Sequence, residues 1–127
     1  MPELPEVETT LRAIKKFQGQ NLTEIKVHNR NLRWTVTKDL EKNSRNQKLI
    51  NLYRRAKYII FELENAYLLL HLGMSGSLRI LKSEDNYFLK HDHIEFIFDH
   101  EKIIYNDPRR FGSLHIAKDI NNHKLIK

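Results

Sequence analysis

Apolar residues recur at helical spacing at the start of the chain. The stripe consists of Leu4, Val7, Leu11, Ile14 and Phe17. Its spacing puts all five side chains on one helix face, and Gly19 follows as a residue suited to ending a helix. The pattern predicts an amphipathic helix over residues 3–18 that packs one face against an apolar surface.

After this helix, short apolar segments rich in β-branched and aromatic residues alternate with polar turns, a pattern typical of strands. The predicted strands are Leu22 to Val27, Leu32 to Val36, Leu49 to Tyr53, Tyr58 to Leu63, Tyr67 to Leu72, Ser77 to Leu81, His93 to Phe98, Lys102 to Tyr105 and Ser113 to Ala117. Hairpin turns are predicted at Glu64-Asn65 and at Asp99-His100-Glu101. We therefore predict a mainly β fold with α, a two-layer antiparallel β-sandwich preceded by the N-terminal amphipathic helix.

A length of 127 residues is typical of one domain with one core. Apolar periodicity is lost after residue 118, where a polar tail begins. We predict a domain over residues 1–118 and the start of a linker over residues 119–127, which makes the chain a candidate fragment of a longer protein.

The charge balance favours a polyanionic partner. The chain has 22 Lys and Arg against 16 Asp and Glu, a formal net charge of +6, which suits nucleic acid or an acidic membrane face. No apolar run is long enough to span a bilayer, and acidic residues stand where a signal peptide carries basic ones. The absence of cysteine excludes disulfides, thiolate zinc sites and a cysteine nucleophile within this sequence. We expect a soluble cytoplasmic protein.

The segment Met1 to Glu6 places a candidate nucleophile beside an acid. Removal of Met1 would leave Pro2 with a free secondary amine next to Glu3. The positive end of the helix dipole disfavours protonation of such an amine, which can then attack an aldehyde-like carbon and form an iminium. If Met1 is retained, the Pro2 nitrogen is an amide and is inert. The alternative interpretation is that Pro2 and Pro5 only begin the helix.

Basic residues cluster where strands end. The clusters are Arg54-Arg55-Ala56-Lys57, Lys90-His91-Asp92-His93 and Asp107-Pro108-Arg109-Arg110-Phe111-Gly112. Loops at one end of a sheet protein converge, so these groups can form one surface that binds phosphates. The alternative is that they are solvated turn residues.

Met74 and Phe111 lie in loops where an apolar side chain is unexpected. Met74 stands between two glycines, and Phe111 lies between Arg110 and Gly112. Apolar side chains of this kind enter DNA as wedges between base pairs, and Arg109 adds a charge beside them. The alternative is that both residues cap the edges of the sandwich core.

A histidine pair and one lysine are also candidates for a functional role. His91 and His93 alternate onto one strand face, as a two-histidine metal site requires, but no third ligand is evident and we predict no metal. Lys57 precedes a strand and suits a phosphate contact or proton transfer, with an exposed surface lysine as the alternative.

Five motifs together resemble the N-terminal domain of formamidopyrimidine-DNA glycosylase, a bacterial enzyme of base-excision repair. They are PELPEVET from Pro2, RRAKY from Arg54, HLGMSGSLRI from His71, KHDH from Lys90 and DPRRFG from Asp107. They follow the family's order and spacing, and the resemblance covers residues 1 to about 117.

The resemblance implies a role for each matching residue. Pro2 corresponds to the Schiff-base nucleophile, Glu3 to the acid that protonates the sugar, and Lys57 to the lysine that contacts phosphate and donates a proton. The DNA-binding residues it implies are His71, Met74, His91, Arg109, Arg110 and Phe111. Among these, Met74, Arg109 and Phe111 correspond to the trio inserted into the duplex when the lesion is flipped out.

The resemblance also implies activity and partners. The expected activity is excision of oxidised purines, namely 8-oxoguanine and formamidopyrimidines, followed by β,δ-elimination at the abasic site. The expected partner is double-stranded DNA with oxidised or abasic sites, bound by a monomer in the bacterial cytosol or nucleoid. No cofactor is expected in this chain, because the family's zinc finger follows a helix-two-turn-helix region that this sequence lacks.

Two alternatives remain open beside the enzyme. A truncated module that binds damaged or abasic DNA without turnover would use the same basic loops. A fragment whose partner is the rest of its own polypeptide would show an exposed apolar patch and little affinity for DNA.

Overall fold

The computed structural model describes residues 4–120, and it has two antiparallel sheets with a helix at the N-terminal end. Helix α1 covers Leu4–Ile14 and continues as a 3-10 turn over Lys15–Phe17. Val7, Leu11, Ile14 and Phe17 are buried, as their spacing predicts. Gly19 then adopts a φ of +94°, which ends the helical path. The predicted helix is confirmed within the described residues.

Within the described residues, nine strands form the two sheets. The strands are β1 Asn21–Leu22, β2 Glu24–Val27, β3 Gln47–Arg55, β4 Tyr58–Leu63, β5 Tyr67–His71, β6 Ser77–Lys82, β7 Asp92–Ile97, β8 Glu101–Asn106 and β9 Ser113–Ala117. One sheet has the order β1-β3-β4-β5-β9 and the other the order β2-β7-β8-β6, with every pairing antiparallel. This architecture confirms the predicted fold class.

The core lies between the sheets because alternate residues of the strands point inward. Phe61 of β4 stacks on Phe96 of β7 across the layers, with ring centroids 5.0 Å apart. The ring centroids of Phe17 and Phe98 lie 4.6 Å apart, which brings the 3-10 turn after α1 onto the same core. The two sheets and the helix therefore share one apolar interior.

Two local predictions are wrong, and one short element was not predicted. Leu32 to Val36 is not a strand but a turn closed by a single bridge between Asn31 and Thr35. The segment predicted as one strand from Leu22 to Val27 breaks at Thr23 into β1 and β2, which belong to different sheets. A short helix, α2 over Leu40–Ser44, was not predicted.

Among residues 4–120, no helix is long and apolar enough to cross a membrane.

Candidate nucleic-acid interface

Two loops, 72–76 and 107–112, lie side by side at one end of the five-stranded sheet. The first follows β5 and the second precedes β9, and these strands pair with His71 opposite Ser113. A Cβ on Gly73 would lie 2.6 Å from the Gly112 nitrogen, and a Cβ on Gly112 would lie 2.4 Å from the His71 carbonyl oxygen. The backbones therefore approach each other to a distance that only glycine permits.

Asp107 joins the two loops through its fully buried carboxylate. Oδ1 accepts a hydrogen bond from the Ser75 hydroxyl at 2.6 Å, and Oδ2 accepts bonds from the Gly112 N–H at 2.9 Å and from the Tyr105 hydroxyl. Burial alone would raise the pKa of Asp107, but these hydrogen bonds to the charged form outweigh it and the pKa is lowered. The buried charge thus fixes the conformation of both loops.

Met74, Arg109 and Phe111, which we call the wedge residues, project from these joined loops. Met74 is 53% exposed and Phe111 is 41% exposed, so neither caps the sandwich core. The Arg109 guanidinium lies 4.8 Å from the centroid of the Phe111 ring and 3.8 Å from the Met74 sulfur. The sequence prediction that both apolar side chains protrude is confirmed, and Arg109 lies beside them as a charged companion.

His71 lies at the end of β5, next to the wedge residues. Its Nδ1 accepts a hydrogen bond from the Gly73 N–H at 2.9 Å, so a neutral ring carries its proton on Nε2. Burial lowers the pKa of His71, and the positive charges of Lys57 and Arg33 lower it further. A neutral imidazole with an N–H donor at Nε2 therefore lies at this surface, where the charge of Lys57 acts on it.

Lys57 occupies the exposed turn between β3 and β4. The preceding residue, Ala56, has a left-handed φ of +54°. Arg54, from the same basic cluster, donates a hydrogen bond to Glu8 of α1. Arg54 therefore joins the N-terminal helix to the strand that leads to Lys57, a structural role that the sequence prediction of a phosphate contact missed.

The predicted nucleophile and acid, Pro2 and Glu3, lie outside the described residues. Helix α1 begins at Leu4, directly after them. The Glu8–Arg54 ion pair brings the first turns of this helix to the end of β3, near the turn that carries Lys57. The roles of Pro2 as nucleophile and Glu3 as acid stay predictions.

The histidine pair differs from its predicted arrangement. His91 precedes β7 with a φ of +72°, whereas His93 is buried and its Nε2 lies 2.8 Å from the Asp107 carbonyl oxygen. His91 lies outside the strand, although its ring centroid is 6.3 Å from that of His93, and its carbonyl accepts the Asp107 N–H at 3.1 Å. Within residues 4–120, no three His, Cys, Asp or Glu side chains are grouped to hold a metal ion.

Arg110 has a contact that sequence analysis missed. With a φ of +54°, it directs its Nη1 to the Asn31 carbonyl oxygen at 3.1 Å. Arg33 and Trp34, in the turn wrongly predicted as a strand, line a cavity together with His71, Met74 and Phe111. Sequence analysis missed the cavity position of Arg33 and Trp34 because the alternating apolar residues of this segment also fit a strand.

The chain matches known proteins over nearly its whole length. A family model described as the formamidopyrimidine-DNA glycosylase N-terminal domain matches residues 1–114. The formamidopyrimidine-DNA glycosylases of Marinobacter nauticus and Yersinia pseudotuberculosis are 43% and 44% identical, over 99% of this chain and 47% of their own length. The chain therefore spans about half the length of these curated relatives.

Solved structures give the same result. The formamidopyrimidine-DNA glycosylase of Lactococcus lactis bound to DNA with an abasic site is 33% identical, with a TM-score of 0.82 over 91% of this chain and 45% of its own. The complex of that organism's enzyme with DNA containing a formamidopyrimidine lesion superimposes with a TM-score of 0.81, at 33% identity over 91% of this chain and 44% of its own.

Proposed function

Because this chain belongs to the formamidopyrimidine-DNA glycosylase family, we propose that it is the catalytic N-terminal part of a glycosylase and abasic-site lyase that acts on oxidised purines in DNA. The observation that carries the proposal is the pair of loops joined by Asp107, which present Met74, Arg109 and Phe111 together on an exposed surface. This arrangement suits a duplex from which one nucleotide is extruded.

Binding begins with the phosphate backbone. The net charge of +6 and the arginine and lysine side chains around the wedge residues attract DNA and release counterions, so affinity falls steeply as salt rises. Lys57 and the neutral His71 supply a cation and an N–H donor for phosphate oxygens beside the lesion. These contacts position the duplex without reading its sequence.

Extrusion of the damaged nucleotide costs a few kcal/mol of lost pairing and stacking. Met74 and Phe111 offset this cost by entering the gap, because their exposed apolar surface is removed from water when it meets the flanking bases. Arg109 places a cation in the same gap, where it can hydrogen-bond the base left without its partner.

The chemistry is assigned to Pro2, Glu3 and Lys57. The lone pair of the Pro2 nitrogen forms a bond to C1′ as the bond from C1′ to the damaged base breaks, and the base leaves with the electron pair and takes up the proton that the Pro2 nitrogen loses. Glu3 protonates the sugar ring oxygen, which opens the ring and gives an iminium. Loss of a C2′ proton then expels the 3′ phosphate, and loss of a C4′ proton in a second elimination expels the 5′ phosphate, with Lys57 as the proton donor.

The partner that fits this surface is double-stranded DNA containing oxidised or abasic sites, bound by a monomer in the bacterial cytoplasm. We assign residues 1–118 to the catalytic domain and residues 119–127 to the start of a linker. The remaining half of the relatives' length corresponds in the family to the helix-two-turn-helix and zinc-finger region, so we assign no cofactor to this half.

A second function, binding of abasic DNA without turnover, is favoured by one observation. The wedge residues Met74, Arg109 and Phe111 are presented by the two loops that Asp107 joins, and none of the three takes part in the proposed catalytic steps. Recognition of DNA through these loops can therefore occur without turnover.

Borohydride trapping separates the two functions. The chain with Met1 removed, verified by mass spectrometry, is mixed with a duplex containing one abasic site and reduced. Enzymatic function predicts a covalent adduct that peptide mapping places on the Pro2 nitrogen, and no adduct at that position from the same chain with Met1 retained. Binding of the duplex without any adduct from the trimmed chain would contradict the catalytic assignment and leave the binding function.

A further inference from the structure

Trp34 is the single tryptophan of the chain, and it is 50% exposed. It lies in the turn closed by the bridge between Asn31 and Thr35, while Leu32 and Val36 on either side are buried in the core. An indole gains much from burial because of its large apolar area. Its exposed position in a turn whose other apolar residues are buried suggests that a ligand covers it.

The turn is fastened to the loop that carries two of the wedge residues. The Arg33 N–H donates to the Gly112 carbonyl oxygen at 3.1 Å, and Arg110 donates to the Asn31 carbonyl oxygen at 3.1 Å. Trp34 is therefore held in a fixed position relative to Phe111.

The base of the turn is fixed as well. Arg30 forms two hydrogen bonds to the Glu41 carboxylate, at 2.7 Å and 2.8 Å, and its carbonyl accepts the Val36 N–H at 3.0 Å. A rigid turn loses little conformational entropy when a ligand binds to it.

Trp34 lines the same cavity as two of the wedge residues, Met74 and Phe111. Arg33 and His71 also belong to its lining. The guanidinium carbon of Arg33 lies 5.6 Å from the centroid of the Trp34 ring. The cavity thus offers an aromatic face and a positive charge next to the position where DNA would be opened.

We propose that Trp34 stacks on a nucleobase that the wedge residues have separated from its neighbours in the duplex. The proposal rests on the proposed DNA-binding function. A nucleobase that loses a stacking neighbour exposes a flat π face, and an exposed indole restores that contact whatever the base. Arg33 adds attraction to the electron-rich ring and to nearby phosphates. The unstacked base is either the one opposite the lesion or one flanking it.

Tryptophan fluorescence reports directly on this contact, because Trp34 is the single source of the signal. A duplex with one abasic site should quench it more strongly than an intact duplex at equal saturation. Two further abasic duplexes carry 2-aminopurine, either opposite the abasic site or beside it. The duplex whose 2-aminopurine is quenched by the native chain and not by Trp34→Leu identifies the stacked base.

Affinity measurements compare variants of Trp34 with the native chain and with a control variant. Trp34→Leu should weaken binding of the abasic duplex about 5- to 150-fold, the range that loss of one base–aromatic stack produces. The same variant should bind intact duplex within about twofold of the native chain. Trp34→Phe keeps an aromatic face and should retain most of the affinity, and Ile50→Ala, which alters another exposed apolar residue outside the cavity, should have no effect. Urea unfolding of each variant checks that the fold is intact.

The outcomes separate this inference from the proposed function. Unchanged tryptophan fluorescence in a chain that binds abasic DNA, or equal affinity of Trp34→Leu and Trp34→Phe, would overturn the stacking role alone. Failure of the native chain to bind any DNA would overturn the proposed function and the stacking role together.

Discussion

At the scale of single residues, Asp107 determines the geometry of the interface. Its carboxylate accepts hydrogen bonds from Ser75, Tyr105 and Gly112, which belong to three different segments. Burial and the bond to this carboxylate also raise the pKa of Tyr105 far above its usual range, so the tyrosine remains a donor. A buried charge with its donors in place keeps both loops in one conformation.

Replacement of Asp107 should therefore cost both stability and binding. Asp107→Ala leaves the Tyr105 hydroxyl and the Gly112 N–H buried without an acceptor, and we expect a loss of about 3 kcal/mol in the free energy of unfolding. Asp107→Asn keeps one acceptor oxygen and should lose about half as much. Urea denaturation measures the free energy of unfolding of the two variants.

The control for this prediction is Asp99→Ala, which changes an exposed carboxylate in the turn between β7 and β8 and should alter the free energy of unfolding by less than about 0.5 kcal/mol. Equal stabilities of Asp107→Ala and the native chain would show that the hydrogen-bond network does not hold the loops.

Sequence reasoning located some of these residues and missed others. Met74 and Phe111 were predicted to protrude because each stands in a turn beside glycine, where no apolar stripe can bury it. Asp107 was included in a motif, but its role as a buried acceptor depends on Ser75 and Tyr105, which approach it only in the folded chain. No local sequence pattern shows that these three side chains come into contact.

At the scale of elements, Asp92 connects three strands. Its carboxylate on β7 accepts two hydrogen bonds from Arg79 of β6, both at 2.7 Å, and one from Asn106 of β8 at 2.8 Å. The Leu89 N–H adds a further bond at 2.7 Å. Burial alone would raise the pKa of Asp92, but these bonds lower it to about 2.

The lowered pKa predicts how stability depends on pH. Because the folded pKa lies below the ordinary value of 3.8, the contribution of Asp92 is present above about pH 4 and is lost as the pH falls toward about 2. It amounts to about 2 kcal/mol. Asp92→Asn should remove this part of the acid dependence and lower the free energy of unfolding at neutral pH, as measured by urea denaturation across the pH range.

Asp85→Asn, at an exposed position between β6 and β7, provides the comparison and should keep the native acid dependence. If Asp92→Asn and the native chain lose stability in parallel between about pH 4 and pH 2, the network around Asp92 does not contribute as described.

Elements with a clear period were predicted well. The stripe from Val7 to Phe17 is buried as one face, and the nine strands lie close to the apolar runs of the sequence. The segment Leu32 to Val36 misled the prediction because its alternation fits a strand, whereas two buried side chains and one exposed indole satisfy the same pattern in a turn. Helix α2 spans only Leu40–Ser44, too short for a helical period to be read.

At the scale of the whole molecule, the topology brings distant parts of the sequence to one end of the sandwich. β5 and β9 are adjacent strands although more than forty residues separate them, so the loops at residues 72–76 and 107–112 become neighbours. The turn that holds Trp34 is fastened to the second of these loops by hydrogen bonds of Arg33 and Arg110. The sequence supplied the motifs and their order, but the strand order decides which of them meet.

The central claim is that these joined loops recognise DNA by inserting apolar side chains where a nucleotide is missing or extruded. The most direct measurement is fluorescence anisotropy with abasic and intact duplexes at one salt concentration, for the native chain, a Met74→Ala, Phe111→Ala double variant and the control Ile50→Ala. The native chain and the control should bind the abasic duplex at least about tenfold more tightly than the intact one. The double variant should lose this preference while its affinity for intact duplex stays within about twofold. An undiminished preference in the double variant, or equal affinities of the native chain for both duplexes, would contradict the account.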